Sequence, residues 1–332
     1  MMHEWDAGPK LIGTDFYLDS RLPRARSFVS HAHSDHIAPH DVALATPATL
    51  ALAEIRLGMR ATIALTYGQQ HTIDPEHRIT LYPAGHVLGS AMSHIERDDG
   101  RSLLYTGDFK LRPSLTATQA EAPPADTLIM ESTFGKPLFR FPPFQQTIDQ
   151  LLDLVAKAMA AGRQPVVMGY SLGKAQEIVR ILNDAGFVVT EHGAVAKLSD
   201  EFERQGVPLG PRRRYKPEDF RGPKQLDLAE RGVLVAPPQV ARSAFVDQFD
   251  DPLTIMLSGW GMLKGAEYRY GVRHVLPISD HADFDELLEL VARVRPKKVY
   301  TLHGFPEFAE TLRGKGWDAE LAKPDPQMRL FG

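Results

Sequence analysis

Not one of the 332 residues is cysteine, so disulfides, thiolate metal ligands and a thiol nucleophile are all excluded. Any metal would have to be held by His, Asp or Glu. No apolar run approaches the length of a membrane span, and Met1 to Lys10 lack the apolar core of a signal peptide. A cytoplasmic protein with no membrane partner is the expectation. Positive charge is also in short supply: 38 Lys and Arg against 42 Asp and Glu give a formal net charge of -4. That argues against a generally cationic nucleic-acid coat, while leaving room for local basic patches and for bound cations that attract anions. The one strongly basic tract, Gly210-Pro211-Arg212-Arg213-Arg214-Tyr215-Lys216, is expected on a surface loop, where simple solvation competes with binding. What the chain does have is apolar content, 43% over a length sufficient for one large or two ordinary domains.

The stretch around which the rest is organised is Ser30-His31-Ala32-His33-Ser34-Asp35-His36. Ser27-Phe28-Val29-Ser30 reads as a buried strand and Ala38-Pro39 ends the alternation, so the run is a loop leaving a strand end. Alternation sends His31, His33 and Asp35 to one side, and the following turn brings His36 beside Asp35. Imidazoles with carboxylates suit zinc, manganese or iron, in sites of about three or four protein ligands. Chance clustering on a solvated loop is the bland alternative. The test is whether later strand ends supply more ligands.

The first part reads as strands with occasional helix. Phe16 to Asp19, Arg78 to Ala84, Ala91 to Glu96, Ser102 to Thr106 and Asp126 to Glu131 are strands, and Asp98-Asp99-Gly100 joins two of them as a hairpin. Ala48 to Leu57 is a helix with Thr49 near its start and Gly58 past its end. From about Gln145 helices alternate with short apolar strands: Ile148 to Ala161 and Lys174 to Asn183 are helices, and Pro165 to Gly169, Phe187 to Thr190, Gly232 to Ala236 and Leu253 to Leu257 are parallel strands of an inserted α/β unit. The last third returns to the first style, with strands Val275 to Ile278 and Lys298 to Leu302, helices Phe284 to Val294 and Pro306 to Arg313, and a polar tail.

Strand ends do carry further ligand types. His86 follows Gly85, whose freedom lets the backbone turn. Asp108 follows Thr106-Gly107, a carboxylate able to bridge two metals, and Glu131, His281 and His303 end later apolar segments. Taken singly each is an ordinary loop residue; their recurrence at the same kind of place is the signal.

HAHSDH at 31 to 36, GHVLGS at 85 to 90, TGD at 106 to 108 and Asp19 on the preceding strand resemble the metallo-β-lactamase fold. ESTFG at 131 to 135, SDHADF at 279 to 284 and LHG at 302 to 304 resemble motifs A, B and C of its β-CASP branch, which acts on nucleic acids. ESTFGKPLFRFPP, GYSLGKAQE and SGWG look like the bacterial ligase-associated DNA exonucleases.

The resemblance implies an α/β fold, a metallo-β-lactamase αββα sandwich over 1–140 and 266–332 with a β-CASP domain inserted over 141–265. It implies two divalent metal ions, zinc or manganese with iron an option: one on His31, His33 and His86, a second on Asp35, His36 and His303, with Asp108 bridging. His281 would donate a proton to the leaving oxygen, oriented by Glu131, and Asp35 counts among the catalytic residues. Asp19 would hydrogen-bond the metal loop. Ser171 and Lys174 would hold a phosphate, with helix capping by Ser171 as the alternative; Ser258, Gly259 and Trp260 would take a terminal phosphate and a base, and Arg140 and Phe141 would do likewise. The activity implied is a DNA exonuclease of repair starting from a 5′ end, on single strands or duplex ends, alongside an ATP-dependent ligase and a helicase. A ribonuclease at the same site and a non-catalytic scaffold are the rivals. A thioesterase or lactamase would leave the insertion and Glu131, His281 and His303 without a role.

Overall fold

The computed structural model describes residues 2–58, 61–223 and 225–322. The chain divides into two compact units: one runs to Arg140 and resumes at Asp280, and the other is Phe141–Ser279.

The first unit holds strands β1 (His3–Trp5), β2 (Pro9–Leu11), β3 (Phe16–Leu18), β4 (Arg26–Phe28), β5 (Val42–Ala45) and β6 (Thr62–Ala64) in one sheet, ordered as in sequence. A second sheet is built from β7 (Gln70–Asp74), β8 (His77–Pro83), β9 (Ala91–Arg97), β10 (Ser102–Tyr105) and β11 (Thr127–Glu131), joined by two strands from the far end of the chain. The second unit contains β12 (Pro165–Met168), β13 (Val189–Glu191), β14 (Arg213–Arg214), β15 (Val233–Ala236), β16 (Leu253–Leu257) and β17 (His274–Leu276). β18 (Lys298–Leu302) and β19 (Ala319–Leu321) then return to the second sheet, whose order is β19-β18-β11-β10-β9-β8-β7.

Period-two alternation sorts the first unit's core into two layers. Leu103, Tyr105, Ile129, Ile79 and Leu81 face inward to meet Leu11, Leu18, Phe28 and Leu44 of the other sheet. Leu104, Leu128, Met130 and Val299 face the opposite way, onto Phe284, Leu287, Leu290 and Val291 of the helix Phe284–Val294 and Phe308 and Leu312 of the helix Glu307–Gly314. The first sheet carries the helix Pro47–Leu57, capped by the Thr46 hydroxyl rather than Thr49 and ended by left-handed Gly58. This is the expected αββα sandwich.

In the second unit all sheet pairings are parallel, in the order β14-β13-β15-β12-β16-β17. β12, β15 and β16 are buried along their whole length, as strands covered on both faces are. Three differences from the sequence expectation have local causes. β17 pairs with β16, so the second unit continues to Ser279 instead of ending at 265, and the strand expected over 275–278 belongs to it. The helix Gly193–Arg204 was not anticipated; only Val195, Ala196, Leu198 and Phe202 of its apolar residues are buried, within an otherwise polar stretch. The expected polar tail contains β19, paired with β18, as far as described; its remainder from 323 lies outside the described residues.

No helix among the described residues is long and apolar enough to cross a membrane.

Candidate metal centre

Every site residue proposed for metal or acid chemistry lies in the first unit, on loops at strand ends or, for Glu131, at the last residue of β11. The metal loop follows β4, where Ser30 is tied down by Asp19: the carboxylate accepts from the Ser30 amide at 2.6 Å and from its hydroxyl at 2.5 Å. Asp19 also accepts from the Tyr105 hydroxyl at 2.9 Å and meets His36 Nδ1 at 2.8 Å. Asp19 holds a left-handed φ of 50° to do this, an uncommon state outside glycine. Gly107 makes room for the arrangement, because a Cβ there would fall 2.4 Å from the Ser30 hydroxyl.

The hydrogen-bond network assigns the imidazole tautomers. The Ser30 hydroxyl gives its proton to Asp19, so it accepts from His31 Nδ1, 2.9 Å away. His86 Nδ1 lies 2.9 Å from the Asp280 carbonyl, which can only accept. Both rings, when neutral, therefore turn a bare Nε2 lone pair inward, His31 Nε2 to 3.0 Å and His86 Nε2 to 3.1 Å from His33 Nδ1. Asp108 Oδ2 completes the group, 3.5 Å from His31 Nε2 and 3.8 Å from His86 Nε2. Tetrahedral ligands around zinc stand about 3.4 Å apart, so His31, His33, His86 and Asp108 fit a divalent cation. Burial holds His31 well below its ordinary pKa and His86 at about 3, and lowers His303 to about 4, which keeps these rings in the neutral form that binds metal.

The second set is looser. His36 Nε2 is 3.4 Å from Asp108 Oδ2 and 3.8 Å from Asp35 Oδ2, and the His303 ring centroid is 5.7 Å from that of His36. Among the described residues, the groups tight enough to share an ion include neither Asp35, His36 nor His303. Burial opposes charge on His36, but Asp108 and Asp19 outweigh it and raise its pKa well above the ordinary value. Asp35 is largely exposed at its side chain, with Arg21 3.8 Å away. His303 has a left-handed φ of 48°, and Gly304 beside it packs so closely that a Cβ would lie 1.8 Å from the Ser132 carbonyl oxygen.

Next to the metal group, His281 Nδ1 lies 3.0 Å from both oxygens of Glu131 and 4.0 Å from Asp108 Oδ2. Glu131 also accepts from the Phe109 amide at 2.8 Å and the Thr133 hydroxyl at 2.5 Å. Burial lowers the affinity of His281 for a proton, yet Glu131 and Asp108 reverse this and lift its pKa to about 10. Arg112 anchors the His281 carbonyl at 3.0 Å and pairs with Glu286. Tyr105, Thr133, Asp280 and Arg112 were not singled out from sequence. Asp280 reaches His86 through its backbone carbonyl, which carries no side-chain signature, and its carboxylate stands with His86 and His281; Tyr105 and Arg112 reach across the fold, and Thr133 bonds Glu131 from two residues away.

In the second unit, Gly173 rather than Ser171 caps the helix Lys174–Asp184; the Gln176 side chain accepts from the Gly173 amide at 2.8 Å and donates to the Ser171 carbonyl at 3.0 Å. Lys174 is only 1% exposed. The Ser258 hydroxyl accepts from the Trp260 amide at 3.3 Å and meets the Tyr270 hydroxyl at 2.9 Å, with Gly259 buried between. Arg140, in the first unit, pairs with Asp285 and lies over the Phe284 ring. In the basic tract, Arg212 is ion-paired with Glu191, Asp200 and Glu203, and Arg214 with Asp200; much of its charge is neutralised within the unit.

Residues 265–322 match the family described as "Zn-dependent metallo-hydrolase RNA specificity domain". Over 332 residues the chain is 41% identical to a protein named "Probable DNA ligase" from Opitutus terrae, covering 98% of this chain and 32% of that one. It is 25% identical over 312 residues to "Transcription termination factor FttA" from Pyrococcus abyssi, covering 76% of this chain and 48% of that one. The chain thus spans about a third of the first relative's length and about half of the second's. A solved structure of a protein of unknown function from Enterococcus faecalis superposes with a TM-score of 0.61 at 17% identity, covering 90% of this chain and 79% of that one, a likeness of fold.

Proposed function

For a chain that belongs to the β-CASP branch of the metallo-β-lactamase fold, we propose the activity of a metal-dependent DNA exonuclease, hydrolysing phosphodiester bonds from a 5′ end in repair. The observation that carries the phosphodiesterase reading is the pairing of a metal socket with a carboxylate-bound imidazole: Asp108 Oδ2 lies 3.5 Å from His31 Nε2 and 4.0 Å from His281 Nδ1, which is itself 3.0 Å from Glu131. His31, His33, His86 and Asp108 would hold one divalent cation, and Asp35, His36 and His303, which stand farther apart, would have to draw together to hold a second beside Asp108. Zinc or manganese suits this nitrogen and oxygen donor set, and iron is chemically admissible. When bound, such cations polarise a phosphodiester oxygen and acidify the attacking water.

The chain's own groups do the rest. Glu131 fixes Nδ1 of His281, which leaves Nε2 to donate a proton to the departing oxygen. With its pKa raised to about 10, His281 carries that proton at neutral pH. Of the sequence candidates for holding the strand, Lys174, Ser258 and Gly259 are buried, so Ser171 and Trp260, which are partly exposed, are the ones proposed to bind it. The relative named as a probable DNA ligase supports DNA as substrate and a ligase as functional partner; that the ligase is ATP-dependent, that a helicase joins it and that both act in the cytoplasm are further parts of the proposal. RNA is the second reading, favoured by the RNA specificity domain matched over 265–322. Digestion of 5′-labelled and 3′-labelled DNA and RNA, single and duplex, across a metal series tests both. Shortening of DNA from the 5′ end is expected; products from RNA alone would overturn the DNA reading, and none from either would leave a scaffold.

A further inference from the structure

Around the short helix Ala266–Tyr270 of the second unit, aromatic and cationic side chains alternate: Trp260, Lys264, Tyr268, Arg269. Tyr268 is 86% exposed, whereas Leu138, next among the exposed large apolar side chains, is 51% exposed. A ring so fully in water contributes little to the core. Arg242 reaches it from another segment, with its guanidinium carbon 5.9 Å from the Tyr268 ring centroid and its Nη2 donating to the carbonyls of Tyr268 and, at 3.4 Å, Arg269. Gly271 admits that side chain, since a Cβ there would meet Arg242 Nε at 2.4 Å. Arg269 stands 5.9 Å from the Trp260 ring. Two ring–cation pairs thus lie on the same stretch of surface.

A depression of about 460 Å³ opens beside them, with Arg242, Thr254, Glu267, Tyr268 and Arg273 in its lining, a volume in the range of small-ligand sites. Arg273 is taken up by Asp251. Arg242, Lys264 and Arg269 are not: among the described residues none of the three has a carboxylate in ion-pair contact, and Arg242 spends donors on neutral carbonyls. Glu267 is the one acidic residue in the lining.

We propose that this surface is a grip for a single nucleic-acid strand, in which a base stacks on Tyr268 and the flanking phosphates are held by Arg242 and Arg269. The site rests on the nucleic-acid reading above and adds to it a place for the strand on the second unit. A protein partner would use the exposed ring but has no call on three unneutralised cations; a polyanion with stackable faces uses both.

The test is fluorescence anisotropy of the full chain with labelled DNA and RNA single strands of about 15 nucleotides, in chelating buffer and at several salt concentrations. Tyr268→Ala is expected to weaken binding about tenfold and Tyr268→Phe to stay within about twofold, as loss of one stacked base predicts. Arg269→Ala should lower the slope of log affinity on log salt by about 0.7, one phosphate contact on a single strand. Loss with DNA alone or RNA alone supports the grip and says which strand it takes. Unchanged affinity in Tyr268→Ala for both strands overturns it, as does a wild-type chain that binds neither. Hydrolysis of bis(p-nitrophenyl) phosphate by the metal-loaded wild-type chain is read separately. Failure there with Tyr268-dependent binding intact counts against the hydrolase reading and leaves the grip standing.

Discussion

Asp35 and His36 are neighbours in sequence and opposites in setting. The Asp35 side chain is 55% exposed and that of His36 only 3%, and His36 alone is bonded to Asp19. Asp35→Ala is therefore the clean probe of metal chemistry: nuclease turnover should be abolished with the melting temperature within a degree or two, whereas retained turnover would remove Asp35 from the ligand set. His36→Ala should abolish turnover and also lower stability by about 1–3 kcal/mol, because it strips a partner from a buried carboxylate, measurable by urea unfolding. His281 supplies a pH signature. In the metal-free protein Glu131 and Asp108 lift its pKa to about 10, so loss of the proton proposed to reach the leaving oxygen is expected above the 6.5 of a free imidazole, at a pH that cations bound on Asp108 would lower. The alkaline limb of kcat should lie there in the wild type and vanish in His281→Gln, with kcat down about 10²–10⁴-fold; an unchanged limb would assign the proton to another group. These side chains were legible in the sequence because ligand chemistry is a property of the residue itself. The carbonyl of Asp280 and the guanidinium of Arg112 were not, since their roles exist only once remote segments meet.

At the level of elements, loops are aimed by close contacts at their bases. Asp283 caps the helix Phe284–Val294 by accepting from the Asp285 and Glu286 amides, both at 3.0 Å, and Glu286 in turn accepts from the Asp283 amide and holds Arg112. Gly304 has no room for a side chain against Ser132. Gly304→Ala should then displace the His303 loop: a loss of about 1–3 kcal/mol is expected from overpacking, with metal affinity falling alongside, read by thermal unfolding with and without added zinc. An alanine protein as stable as the wild type would show that the loop has slack. The strand ends that carry the candidate ligands were readable from apolar runs closed by Gly, Asp or His. The end of the inserted unit was not: His274–Leu276 reads as a short strand, and nothing local says that its partner is β16. Nor did Gly193–Arg204 announce itself, since its apolar positions are few and its start is a glycine.

For the molecule as a whole, stability toward acid has an identifiable contributor in His3. The ring is fully buried between Trp5 and Tyr300, with neither nitrogen hydrogen-bonded, and burial, helped by the N-terminal charge, lowers its pKa to about 4. Above pH 6.5 both folded and unfolded rings are neutral and the full stability is present. Between 6.5 and about 4 the unfolded chain takes up a proton that the folded chain refuses, so stability falls as the pH drops, by up to about 3 kcal/mol from this residue. His3→Phe should flatten that part of the pH–stability curve relative to wild type in urea titrations at pH 7.5 and 4.5; an equal decline in both proteins would clear His3. The register of the second sheet has a different consequence, one of timing. Thr127 of β11 pairs with Lys298 of β18, across the whole of the inserted unit. A ribosome that has released β11 must make the insertion before the neighbouring strand exists, and until then β11 is an open edge able to recruit other chains. The same delay withholds His281 and His303, so a nascent chain can gather His31, His33, His86 and Asp108 around a cation while still lacking the imidazole proposed as its proton donor. Metal can be captured early; the proposed cleavage would have to wait until the returning strand closes the sheet.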